Sequence, residues 1–219
     1  MILQREASGH PHIAAESIMS KQGYIVSDDF KLQYWLEGNG SPTIVVGSSL
    51  YYARTFSTEL RSHLQMAFID HRGFAPSNQC QDTRKYELDV LVDDIELARQ
   101  EFGFEKIILI GHSGHAFMAL EYAKKYPDAV SHLVLIGAAP NFSLAGMAAA
   151  ERALEESVCP ERKAALSENL SKLPRRMAAD RDRAFITYCI LMGPRSWFDP
   201  NFSHNIHERG KSYFWEDFF

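Results

Sequence analysis

The stretch Ile107-Ile108-Leu109-Ile110-Gly111-His112-Ser113-Gly114-His115-Ala116 decides how the rest of the chain is read. Its first four residues are continuously apolar, the pattern of a strand covered on both faces. From Ala116 to Tyr126 apolar residues return at three- and four-residue spacing, the period of a helix packed on one side, and Pro127 stops it. A strand thus runs into a helix through a very short turn, with Ser113 at the junction and glycines at 111 and 114. Such a turn lifts a serine hydroxyl clear of the sheet. The backbone N–H that follows it, at the start of the helix, faces any oxyanion developing there. Ser113 is therefore the candidate nucleophile, and the Gly114 N–H a candidate oxyanion donor.

Working outward, three further apolar runs match the first: Thr43 to Val46, Met66 to Ile69 and Leu133 to Ile136. Leu88, Leu91, Val92, Ile95, Ala98 and Phe102 supply a second helical period between them. The order from Thr43 is βαβαβαβ, so the fold class is α/β with a doubly wound, mostly parallel sheet. Ahead of it, Tyr24-Ile25-Val26 and Leu32 to Leu36 flank the turn Ser27-Asp28-Asp29 and predict a hairpin. Residues 1–20 read as an irregular arm, with Met19 an alternative start to Met1. Residues 21–140 form the core. Residues 141–219 are Ala-rich, charged and helix-favouring, with no fifth parallel strand, and read as a helical lid in which Pro160 and Pro174 separate helices.

Composition narrows the function classes. The 219 residues carry 28 acidic and 23 basic side chains, a net charge of −5, with 46% hydrophobic residues, the balance of a globular domain. No clustered Lys/Arg surface is present to neutralise phosphates, so nucleic acid is not an expected partner. Arg5, Glu6, His10 and His12 interrupt the apolar core that a signal peptide needs, and no later run approaches membrane-spanning length, so no membrane association is expected. Cys80, Cys159 and Cys189 are odd in number and widely spaced, which predicts neither a disulfide framework nor a zinc knuckle and favours a cytoplasmic location. Around Ser113 neither glycine-rich phosphate motif is found. His112 and His115 stand at i, i+3 without a third ligand, so local hydrogen bonding is the expectation rather than a metal. No cofactor is required.

Four segments together resemble the α/β-hydrolase superfamily, and within it the proline-iminopeptidase-like and esterase branch. Gly111-His112-Ser113-Gly114-His115 is similar to the family's G-x-S-x-G elbow, and Leu120 to Pro127 resembles the helix after it. Asp70-His71-Arg72-Gly73-Phe74-Ala75-Pro76-Ser77 resembles the D-x-R-G-x-G-x-S loop, with Ala75 for the second glycine, and Leu133 to Pro140 the strand leading into the lid. Two departures stand out. The second elbow glycine is His115, whose bulk should crowd the helix against its strand unless Gly114 relieves the turn. After the third strand, where the family carries His-Gly-x, this chain has Gly47-Ser48-Ser49. The alignment puts Ser49 N–H, with one residue of latitude, as the second oxyanion donor. Asp70 and Arg72 are expected to brace each other and the nearby backbone, and Tyr51 and Tyr52 to serve either the substrate pocket or the core.

In the family's order an acid and then a histidine follow the serine on later strands. Only 106 residues follow Ser113, and most are taken by one helix, one strand and the lid. His115 lies on the helix and His132 starts a strand. Asp199 with His204 or His207 leaves no room for a βα step between acid and base. The chain is therefore expected to stop inside the lid, short of the strands that carry acid and base. Its last sheet strand would be left as an apolar edge, and Tyr213-Phe214-Trp215-Glu216-Asp217-Phe218-Phe219 as an exposed aromatic end. A separate polypeptide supplying the missing strands would cover both. Two readings follow from the resemblance: a serine hydrolase acting on a small-molecule ester, amide or aminoacyl bond through an acyl-enzyme on Ser113, or an inactive remnant or binding module that keeps the pocket.

Overall fold

Ser20–Ser27 (β1) and Phe30–Glu37 (β2) pair antiparallel around a two-residue turn in which Asp28 takes φ +52°, a left-handed conformation that aspartate tolerates better than most residues. Alternation along β2 buries Phe30, Leu32 and Tyr34 and so fixes which face is inward. Ser41–Gly47 (β3), Leu64–Asp70 (β4), Ile107–His112 (β5) and Val130–Ile136 (β6) follow as mutually parallel strands. The sheet order is β1-β2-β4-β3-β5-β6, with β2 antiparallel to β4. This is the doubly wound, mostly parallel sheet expected from the four apolar runs. The computed structural model describes residues 20–75, 80–138, 143–157, 159–181, 184–196 and 199–200. The first 19 residues, with Met19, and the terminal segment holding His204, His207 and the aromatic end lie outside the described residues.

Two helices, Leu88–Glu101 (α2) and His115–Lys125 (α3), bury Val92, Ile95, Ala98, Met118, Ala119 and Tyr122 against Ile44, Val46, Ile69, Ile107 and Leu109 on one face of the sheet. The short helix Ser49–Thr55 (α1) lies on the other face, where Tyr52 packs with Val45, Met66, Phe68 and Ile110. Each fully buried aliphatic or aromatic side chain contributes about 1.5–3 kcal/mol. The central strands therefore dominate the stability of this unit, and their C-terminal ends are held firmly. β6 is different. Among the described residues it pairs only with β5, and Val134, Leu135 and Ile136 remain 38–43% exposed. A strand of interior composition thus forms the edge of the described sheet.

The chain divides into two compact units after Ile136. The second contains Leu144–Glu155 (α4), Pro160–Ala179 (α5), Ala184–Leu191 (α6) and Gly193–Ser196 (α7). Pro160 opens α5, where its missing N–H costs nothing. Pro174, expected to separate two helices, instead sits inside α5. Leu170 and Pro174 both lie on the helix's exposed side, so water can satisfy the carbonyl that the proline leaves without a donor. Asn169 Nδ2 donates to the Leu191 carbonyl at 2.9 Å and ties α5 to the end of α6.

Candidate active site

Ser113 adopts φ +54°, the left-handed region, between the end of β5 and the start of α3. A non-glycine residue held there costs about 1–3 kcal/mol and persists only where its surroundings enforce it. They do so here. The Ser113 N–H donates to the Ile136 carbonyl at 2.9 Å, pinning the turn to β6. Gly111 allows the helix to close over the strand: a Cβ there would lie 2.7 Å from Ala116 Cα and the His115 carbonyl oxygen. Gly114 plays no such part. It has ordinary right-handed helical angles, and a Cβ on it would meet nothing within 4 Å. The expectation that Gly114 relieves the turn is therefore corrected: the strain sits on Ser113 itself. Both residues are exposed, and among the described residues nothing accepts from the Gly114 N–H and nothing hydrogen-bonds the Ser113 hydroxyl.

The crowding expected from His115 is resolved from across the sheet. A Cβ on Gly47, whose φ is +143°, would lie 2.5 Å from the Tyr52 ring and 2.7 Å from His115 Nδ1. The imidazole therefore occupies space that a side chain at position 47 would fill. The two departures from the family pattern, glycine at 47 and histidine at 115, thus meet in one volume. Around this point Tyr52 Oη sits 3.0 Å from His115 Nδ1 and 3.2 Å from His112 Nδ1, so the two histidines share one phenol. Among the described residues no group of three or more His, Cys, Asp or Glu side chains could hold a metal ion. The His71 ring packs 5.2 Å from that of His115, and its Nδ1 accepts from Gly73 N–H at 2.9 Å. Burial, and to a lesser degree the neighbouring histidine, pushes His71 and His115 each down to about 4, so both are neutral at pH 7. Burial likewise lifts the Tyr52 phenol well above its ordinary range, keeping the hydroxyl protonated.

Asp70 and Arg72 do brace the backbone and the sheet, but not each other. Arg72 Nε and Nη2 form a fork on the Asp94 carboxylate at 2.7 and 2.9 Å, and Nη1 reaches Asp28 at 2.9 Å. The guanidinium also stacks over Phe30. Asp70 Oδ1 instead accepts the Ser49 N–H at 2.6 Å, and burial raises that carboxyl to about 6. Ser49 is fully buried, so the amide expected to serve as second oxyanion donor already has a partner. The adjacent Ser48 and Leu50 amides, one residue either way, have none among the described residues.

A cleft of about 310 Å³ adjoins the elbow, lined by Tyr51, Tyr52, Thr55, Phe56, His112 and Ile136. It meets Ser113 through two direct links, the peptide bond to His112 and the hydrogen bond to Ile136. Tyr51 and Tyr52 thus line a pocket and join the core at once. Thr55, Phe56 and Ile136 were not identified from sequence, because nothing in a helix end or a strand end marks residues that face a cleft. A larger hollow of about 540 Å³ between α2 and α3 is lined by Leu88, Asp89, Val92, Glu121, Lys124 and Lys125, and its charges are engaged in surface ion pairs. None of its residues belongs to the elbow.

The sheet, the elbow and the helix behind it define an α/β-hydrolase-type protein. The family model for the alpha/beta hydrolase fold matches residues 39–154, and the chain belongs to that family. The AB hydrolase superfamily protein YclE of Bacillus subtilis is 37% identical over 180 residues, covering 82% of this chain and 64% of that protein. Proline iminopeptidase PfmaB of Pestalotiopsis fici is 43% identical over 75 residues, covering 33% of this chain and 26% of that protein. The chain thus spans less than two thirds of either relative. Epoxide hydrolase A from Mycobacterium thermoresistibile superposes with a TM-score of 0.50 at 22% identity, covering 62% of this chain and 45% of that one, which speaks to the fold. No described helix is long and apolar enough to cross a membrane.

Proposed function

We propose that this chain is a cytoplasmic serine hydrolase, or the nucleophile-bearing part of one, acting on a small ester, amide or aminoacyl bond. The observation that carries the reading is Ser113 itself: exposed, held at φ +54° where a strand meets a helix, with an unengaged N–H immediately after it. Ser113 Oγ would bond to the acyl carbon while its proton leaves to a base. The alkoxide or amine would then depart with a proton, and water would release the acid from the acyl-serine. The Gly114 N–H and an amide of the turn after β3 would hold the oxyanion; for Ser49 to serve, it must exchange Asp70 for the substrate oxygen. A relative named as a proline iminopeptidase supports an amide or aminoacyl bond as a target.

A second reading, a non-catalytic remnant or binding module, is favoured by one fact: among the described residues no histidine lies within hydrogen-bonding distance of Ser113 Oγ. A serine deprived of its base loses several orders of magnitude in rate. A fluorophosphonate probe separates the two. The hydrolase reading expects labelling of the folded chain, absent in Ser113→Ala and in denatured protein. Labelling only after addition of a second polypeptide, such as the part of the Bacillus relative beyond the match, would mean that a partner supplies the base. No labelling under either condition leaves the remnant.

A further inference from the structure

We propose that Arg61 is a positioning residue for the cleft beside Ser113. Its guanidinium sets where the C-terminal end of α1 stands, and with it the size of the group that the cleft admits. The inference rests on the serine-hydrolase reading only in treating that group as part of a substrate of Ser113.

The cleft has two unlike walls. His112 and Ile136 end β5 and β6, which are paired up to these two residues. Tyr51, Tyr52, Thr55 and Phe56 belong to α1 and the residue that caps it. The width of the cleft is therefore the distance of α1 from the strand ends. At seven residues α1 is too short to hold its shape alone. Its first turn is tied down by the Ser48 cap and by the Ser49 N–H on Asp70, and its middle by the buried Tyr52. The last turn leaves carbonyls without intrahelical donors, and these need a partner from outside the helix.

Arg61, only 3% exposed, supplies that partner. Its Nη2 donates to the Ala53 carbonyl at 2.6 Å, and Nη1 to those of Phe56 and Ser57 at 3.0 and 2.9 Å. Nε donates to Glu37 Oε2 on β2 at 2.6 Å, and the guanidinium lies 5.2 Å over the Phe68 ring of β4. One rigid plane thus spans from the sheet to the end of α1. A lysine could keep Glu37 but, as a point charge on a flexible stem, could not reach three carbonyls as well. Nor does stability require the ion pair, since well-packed apolar side chains of similar volume often match a buried one. What the guanidinium adds over such a pair is direction. The backbone here is held separately, the Arg61 carbonyl accepting from the Asn39 N–H at 3.0 Å, so the turn persists when the side chain is changed.

Two variants of the full chain separate positioning from folding. Arg61→Lys keeps the charge opposite Glu37 and loses the fork on α1. Glu37→Leu/Arg61→Met replaces the ion pair by an apolar one, and its urea midpoint should stay near wild type, so a change in the cleft there cannot come from lost stability. Phenol and 2-naphthol, one ring and two, are titrated against each protein while the NMR methyl signals of Thr55 and Ile136 are followed. Loosening the last turn of α1 should move the ratio of the two dissociation constants in favour of 2-naphthol by roughly tenfold, the lower end of what one methylene is worth in a fitted pocket. An unchanged ratio in both variants, or no saturable shift by phenol in wild type, overturns the role of Arg61. Fluorophosphonate labelling of the same proteins keeps the two readings apart. If wild type is not labelled while the ratio moves, the serine-hydrolase reading falls and Arg61 stands as the residue that sets a binding cleft. If labelling succeeds while the ratio stays, Arg61 falls and the hydrolase reading stands.

Discussion

Replacing Asp70 with asparagine should make the protein more stable at pH 7 and change the slope of stability against pH. Asp70 is 5% exposed, and burial raises its carboxyl from 3.8 to about 6. A carboxyl raised in the folded state favours folding most below its unfolded pKa, and that contribution is lost as pH rises through 6. A shift of about two units corresponds to roughly 3 kcal/mol withheld from the native state at neutral pH. Asparagine keeps an oxygen for the Ser49 N–H without the charge, so Asp70→Asn should gain up to about 3 kcal/mol at pH 7 and nothing near pH 4. His71 and His115 act in the opposite sense. Each is lowered from 6.5 to about 4, so the unfolded chain binds protons that the folded chain refuses, and stability falls as pH drops from 6.5 toward 4. At pH 5.5 the two histidines together take up roughly 1.8 protons on unfolding and Asp70 releases roughly 0.75, a net uptake of about one proton, or about 1.4 kcal/mol per pH unit. In Asp70→Asn the net uptake should rise to about 1.8; in His115→Phe it should fall close to zero. Urea titrations at several pH values between 5 and 7.5, followed through NMR signals of Ile44, Ile69 and Leu109, read the slope within the first unit alone. An Asp70→Asn protein with wild-type stability at pH 7 and an unchanged slope would refute the burial reasoning.

Three other outcomes follow from the same geometry. Ser113→Gly should abolish fluorophosphonate labelling and raise stability by about 1 kcal/mol, because glycine adopts the left-handed turn without strain; a destabilised variant would contradict the strain at the elbow. Asp94→Ala should lose about 3 kcal/mol in urea denaturation by stripping the buried Arg72 of its two-bond partner and leaving it only the half-exposed Asp28, whereas an Asp94→Leu/Arg72→Met pair should recover most of it. Gly111→Ala should cost about 1–3 kcal/mol by wedging α3 from β5, while Gly114→Ala should change thermal unfolding by no more than about 0.5 kcal/mol; equal effects would refute the assignment of close approach to Gly111 alone.

The sheet was legible in the sequence because buried parallel strands and amphipathic helices write their burial into local composition. Ile107 to Ile110 and Leu88 to Phe102 report their surroundings without reference to any other segment. What the sequence concealed depends on residues distant along the chain. Arg72 pairs with Asp94 and Asp28 rather than its near neighbour Asp70, since only the folded sheet brings the β1–β2 turn and α2 to the loop after β4. Pro174 was read as a break because a proline's local effect is disruptive; its tolerance comes from exposure, which periodicity in a charged, Ala-rich helix does not fix. At the site, Ser113 and Gly114 were readable as a turn. The engagement of Ser49 by Asp70, and the cleft itself, require tertiary geometry.

The exchange between positions 47 and 115 bears on how such chains are found and how they diverge. The His115 imidazole, with the Tyr52 ring, fills the volume that a side chain at position 47 would need, so the two positions are sterically coupled. A lineage that changes either one alone passes through a hole or a collision, each costing a few kcal/mol. The positions should therefore covary, with histidine after the elbow accompanied by glycine at the end of the third strand. A motif search that insists on glycine at the end of G-x-S-x-G will overlook this lineage, whereas one that scores the two positions jointly will recover it.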